Sequence, residues 1–178
     1  MADDKKDPWL NYLALTTVIF AVCATLSTFK GGGHSSRSMI SQAQASDQWA
    51  FYQAKSTKEA IYKLQAENLE LQSHILPRST DTSVVRQYKD AIKDAAKSIE
   101  KYGKEKVKIQ DSAKALEAAR DDAQKHGKPY GIAIIFLQVA ILLSSVAGLF
   151  KQKTLWYLGL PIGLLGIAYF VNGFVLLF

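Results

Sequence analysis

The chain has 178 residues, 22 basic and 16 acidic side chains, a formal net charge of +6 and a mean hydropathy near zero. That average conceals a division into blocks, because residues 9–29, 130–150 and 155–178 are apolar runs without one charged side chain. Such runs exclude an ordinary soluble domain, whose helices carry charges on their outer faces, and the single cysteine, Cys23, excludes an intramolecular disulfide.

In chain order, a polar head (residues 1–8) precedes the first apolar run, 9–29. A helix needs about 20 apolar residues to cross the hydrocarbon core, and this run exceeds the apolar stretch of a secretory signal, so it reads as an uncleaved transmembrane anchor. Residues 30–40 contain Lys30-Gly31-Gly32-Gly33-His34-Ser35-Ser36. Three successive glycines disfavour a helix and predict a hinge. The spacing does not match a phosphate-binding loop.

Residues 41–126 read as a helical hairpin with its turn at 77–81. Ser41 and Gln44 suit a capping box at its start. Ala43, Ala50, Ala54, Thr57, Ile61, Leu64, Leu71 and Ile75 then recur at heptad spacing, with Asp47 and Asn68 interrupting the series. Pro77 ends the first arm, since its ring lacks an N–H and clashes with the preceding turn. In the second arm Val85, Tyr88, Ile92, Ala95, Ile99, Tyr102, Lys106, Ile109, Ala113, Leu116, Arg120 and Ala123 share one heptad frame, the signature of a coiled coil. Antiparallel pairing sets Leu71 against Val85, Asn68 against Tyr88, Leu64 against Ile92, Ile61 against Ala95, Ala54 against Tyr102 and Ala50 against Lys106. A bonded Asn68–Tyr88 pair would then fix the coiled-coil register. His126-Gly127-Lys128-Pro129 predicts a helix break before the next span.

The second and third transmembrane helices, 130–150 and 155–178, are joined by Lys151-Gln152-Lys153-Thr154 and form a tight antiparallel pair. Gly159, Gly163, Gly166 and Gly173 make a small-residue helix-packing stripe, which lets backbones approach closely in lipid. The fold class is therefore an all-α membrane protein with three transmembrane helices and an extramembrane antiparallel coiled-coil hairpin.

Chemistry-bearing clusters are scarce. His34, His74 and His126 are far apart in sequence and read as solvated loop residues, although His34 and His126 both belong near the membrane surface. No catalytic, metal or cofactor-binding set is expected. The polar residues within the spans, including Thr16, Thr17, Thr25, Ser27, Thr28, Gln138, Ser144, Ser145 and Asn172, are uncharged, whereas ion-coupled transport uses ionisable groups there. Mixed charges on the hairpin lack the one-signed stripe of a nucleic-acid binder. Trp49, Phe51 and Tyr52 fall off the expected seam and mark a subunit or partner contact. Lys125, Lys128, Lys151 and Lys153 suit weak attraction to anionic headgroups. Lys5, Lys6, Lys151 and Lys153 share one membrane face, which favours the cytoplasm and sets the hairpin outside.

The stretches WLNYLALTTVIFAVCATLSTFKGGG, SQAQASDQWAFYQAKS, IFLQVAILLSS and LWYLGL resemble a family of uncharacterised bacterial membrane proteins, a domain of unknown function. The resemblance covers nearly the whole length. It implies one N-terminal and two C-terminal spans in a bacterial inner (plasma) membrane, and it brings no catalytic or ligand residues. The expected role is a non-enzymatic, self-associating membrane scaffold whose partners are the lipid bilayer, other copies of the chain and a protein at the hairpin. The alternative is an oligomeric channel lined by the uncharged polar residues.

Overall fold

The computed structural model describes residues 8–77 and 80–176; residues 1–7, Arg78 and Ser79 of the hairpin link, and residues 177–178 lie outside that description. The described residues form three long helices, α1 (Pro8–Ile75), α2 (Thr82–Phe150) and α3 (Lys153–Val175), and no strand. They divide into two compact units, one from Ser41 to Ala118 and the other from the residues before and after that segment.

Two expected breaks are absent. Helix α1 continues through Gly31, Gly32 and Gly33, and Ser41 lies within it rather than capping a new helix. Helix α2 continues through His126, Gly127, Lys128 and Pro129. Each glycine costs about 1 kcal/mol relative to alanine in a helix, but packing repays part of that. A Cβ added at Gly31 would lie 3.1 Å from the Cβ of Tyr130, and one added at Gly127 would lie 3.3 Å from the Cβ of His34. Glycine at these two positions lets α1 and α2 approach where larger residues would separate them. Pro129 forgoes one helical hydrogen bond, since it has no N–H to donate to the carbonyl four residues earlier.

Helix ends follow local chemistry. Helix α1 stops two residues before Pro77. At the start of α2 the Ser83 N–H donates to Asp81 Oδ1 at 3.0 Å, an N-cap that satisfies one free backbone donor. Helix α2 ends with Lys151 in the left-handed region, φ 52°. The Gln152 N–H reaches the Ala147 carbonyl at 3.0 Å and the Lys151 N–H reaches the Gly148 carbonyl at 3.4 Å. This is a Schellman closure, and it shortens the turn between α2 and α3 to Lys151 and Gln152.

In the hairpin unit α1 and α2 run antiparallel. The Tyr88 hydroxyl donates to Gln72 Oε1 at 3.3 Å, the Tyr62 and Tyr102 rings stack at 5.8 Å, and the Trp49 indole N–H donates to Glu117 Oε1 at 2.9 Å. Every position of the expected α2 frame is buried or half-buried. The α1 frame is different. Ala45 and Glu59 are buried, Tyr52, Lys55, Tyr62, Ala66, Leu69 and Ser73 are half-buried, and Ile61, Leu64, Leu71 and Ile75 face outward. Tyr102 accordingly meets Tyr62 rather than Ala54, and Lys106 meets Glu59 rather than Ala50.

The other unit packs α3 against both longer helices. Phe20, Ala133, Leu137 and Ala140 form its centre, with Cys23 and Phe170 packed against them. A second cluster joins Trp9, Ala147 and Trp156. The large aliphatics Leu15, Val18, Val22, Leu142, Leu149, Leu158 and Leu164 are exposed, whereas Ser27, Ser144 and Asn172 are buried.

Candidate functional site

The glycine stripe of α3 is occupied within the chain. Gly159, Gly163, Gly166 and Gly173 are all buried. A side chain at Gly163 would strike the Phe20 ring of α1. A Cβ at Gly166 would come within 2.7 Å of Leu137 Cγ, and one at Gly173 within 2.6 Å of Tyr130 Cζ, both on α2. Four small residues thus let three helices interlock, and Phe20, Leu137 and Tyr130 fill the space they leave. Trp156 adds a polar tie by donating its indole N–H to the Thr16 hydroxyl at 3.1 Å.

One helical level from the triple-glycine segment, α1 and α2 bring His34 and His126 together, with their rings stacked at 5.5 Å. His34 also stacks on Tyr130 at 5.9 Å, and Tyr130 meets Phe174 of α3 edge-on at 5.6 Å. Neither histidine is a loop residue, because the expected breaks on either side are helical. Spacing alone could not pair them, since they lie on different helices and meet only after α1 and α2 pack. The His126 Nδ1 lies 3.0 Å from the Asp122 carbonyl oxygen. Burial and then the nearby His126, Lys30 and Arg37 hold the His34 pKa below the ordinary histidine range, with Asp122 opposing them. These surroundings favour the neutral imidazole over the charged one.

Beside this stack an open groove of about 610 Å³ is lined by Thr28, Gly31, His34, Ser38, Gly127 and Lys128, among others. Hydroxyls, one imidazole and one ammonium border an apolar floor. Such a lining can hold an amphiphile, and among the described residues no group of three metal-ligating side chains converges there or elsewhere.

The hairpin unit has its own electrostatic core. Glu59 is buried and lies 2.6 Å from Lys106 and 2.7 Å from Lys63. Lys55 lies 2.6 Å from Glu105. Lys106 holds the Glu59 carboxyl below its usual pKa, with Lys63 assisting and burial opposing. Lys55 does the same for Glu105. The seam lysine of α2 is therefore matched by a carboxylate on α1.

The aromatic trio divides. Trp49 and Tyr52 are half-buried on the seam, edge-on at 5.6 Å, and Lys106 Nζ sits 5.5 Å from the centre of the Tyr52 ring. Only Phe51 of the three is exposed. Trp49 and Tyr52 fall off the seam only when the aliphatic frame of α1, with Ile61 and Leu64, is taken as its inward face. The Asn68–Tyr88 register pair does not form either: Tyr88 bonds Gln72, and Asn68 is exposed.

These features define an all-helical protein with three helices each long and apolar enough to cross a membrane. The chain belongs to the family described as a domain of unknown function, DUF4337, which matches residues 9–176. No curated protein and no solved structure matches it.

Proposed function

We propose that this chain is a non-enzymatic, self-associating scaffold of a bacterial plasma membrane, anchored by three spans and displaying a coiled-coil hairpin. The observation that carries the reading is the inverted surface of the unit containing α3. Large aliphatics make up much of its outer face, while serines, an asparagine and glycines share its interior with Phe20, Leu137 and three alanines. Water reverses that preference, whereas lipid tails accept exposed leucine and leave small and polar residues to hold helices together. The side chains of Thr16, Thr17, Thr25 and Thr28 hydrogen-bond to carbonyls of their own helix, which satisfies their hydroxyl donors where no water is at hand.

The bilayer is the first partner, and further copies and a protein at the hairpin are the others. Alkaline carbonate washing of membranes tests the anchor: the chain should stay in the pellet and leave only with detergent. Release by carbonate overturns it. Light scattering in mild detergent tests self-association, and a monodisperse monomer refutes the scaffold.

A channel is the second reading, supported by Gln138, which is exposed on α2 amid apolar neighbours. Single-channel recording in reconstituted bilayers separates the two, since a scaffold gives no unitary currents. For orientation, a Thr82→Cys variant in a Cys23→Ser background should react with an impermeant maleimide on intact spheroplasts. Labelling only after lysis would place the hairpin in the cytoplasm.

A further inference from the structure

The hairpin leaves one patterned surface uncovered. Ile61, Leu64, Leu71 and Ile75 are 56%, 64%, 63% and 80% exposed. Asn68, exposed between them, makes no hydrogen bond with another described residue. Their spacing alternates three and four, so Ile61, Asn68 and Ile75 occupy a positions of a heptad and Leu64 and Leu71 occupy d positions. Glu59 and Tyr62, which meet Lys106 and Tyr102 of α2, and the half-buried Ala66, Leu69 and Ser73 fall at f and b of that same heptad, on the opposite side of the helix. Helix α1 therefore carries two seams, and α2 covers only one of them.

We infer that the Ile61–Ile75 face of α1 is a parallel seam between two copies of this chain; the inference rests on the self-association proposed above and names its surface. β-Branched residues at a, leucine at d and one asparagine at an a position are the combination that favours a two-stranded parallel coiled coil. The asparagine selects the partner. In a parallel homodimer Asn68 meets Asn68 of the second copy, and the two amides satisfy each other. In an antiparallel pair, where a faces d, the amide would lie against leucine with its hydrogen bonds unmade, which is costly once buried. Two copies inserted in one membrane in the same sense also present their equivalent helices in parallel.

The flanks agree. Between g of one copy and the following e of the other, Glu67 meets Gln72, Ala60 meets Gln65 and Gln53 meets Lys58, so no like charges oppose each other. A standard interface buries about 800 Å² per partner, more than two heptads of one helix supply. Two heptads suffice when spans confine both copies to one bilayer, because confinement raises the effective concentration.

The test uses the full chain in membranes, with Cys23→Ser as background. A d-layer thiol from Leu64→Cys should give a disulfide-linked dimer as the main species under mild oxidation, because the two Cα atoms fall within the reach of about 7 Å that a disulfide allows. Glu70→Cys, at a c position facing away from the partner, should stay monomeric on a denaturing gel. Adding Asn68→Val should lower the Leu64→Cys yield, as register and strand number lose their selector. If neither cysteine cross-links while light scattering still shows an oligomer, this seam is wrong and the scaffold reading survives. If both cross-link equally, the contact is collisional and the seam is wrong. A monomer by scattering overturns scaffold and seam together.

Discussion

Gly163→Ala tests the interlock of the three helices at its tightest point. The added Cβ would strike the Cζ end of the Phe20 ring, whose Cε1 and Cε2 atoms lie 2.5 and 2.6 Å from it. Contacts under 3 Å do not occur between such atoms, so either the ring or α3 must move. Phe20 is 3% exposed and sits among Ala133, Leu137 and Ala140, which leaves it little room. Overpacking of this kind costs about 1–3 kcal/mol. At roughly 2–4 °C per kcal/mol for a chain of this size, the unfolding midpoint should fall by about 2–12 °C. Cys23 packs against the same cluster, so thermal exposure of its thiol to a fluorogenic maleimide in detergent reports the loss directly. Phe20→Leu should lose stability alone, yet restore part of the Gly163→Ala loss in the double variant, with a coupling of about 0.5–3 kcal/mol. A Gly163→Ala protein that melts like the parent, or strict additivity in the cycle, would refute the packing argument.

Three further outcomes follow from other parts of the fold. Gly32→Ala and Gly33→Ala, with nothing within 4 Å of the new Cβ, should each raise helix stability by about 0.5–1 kcal/mol. Gly31→Ala should gain less against Tyr130; equal melting gains at all three positions would contradict the close approach of α1 and α2. Glu59 and Glu105 titrate lower in the folded hairpin than in the unfolded chain, where a glutamate sits near about 4.3. Their stabilisation is complete above that pH and is lost as pH falls through the folded values. Helical melting by circular dichroism should therefore shift down between pH 6 and pH 3 (roughly the carboxylate range), and Glu59→Gln with Glu105→Gln should flatten the curve; an unchanged slope in that variant would sink the assignment. Ala95 is buried and Ala96 exposed, so Ala95→Asp should cost about 3 kcal/mol or more through an unpaired buried carboxylate, and Ala96→Asp little. Similar melting of the two would disprove the α2 frame.

The three apolar runs and the inward face of α2 from Val85 to Ala123 are legible in the sequence. Twenty uncharged residues admit few solutions, and a heptad frame held from Val85 to Ala123 points one way only. The glycine stripe of α3 is legible as a packing surface too, though only the fold shows that Phe20, Leu137 and Tyr130 of the same chain fill it. Propensity misleads at Gly31 and at Gly127, because local helix cost is read without the close approach of α1 and α2 that offsets it. The inward face of α1 is beyond reach for a different reason. That helix carries two heptad frames, and the aliphatic one, with Ile61, Leu64, Leu71 and Ile75, looks the better core. The structure chooses the other frame, where Glu59 meets Lys106, Lys55 meets Glu105 and Tyr62 stacks on Tyr102. A lysine on the α2 seam needs an opposing carboxylate more than it needs leucine, since an unpaired charge there is costly. Periodicity thus tells which residues share a face, but which face turns inward depends on the partner helix, and that partner enters only when the chain folds back on itself.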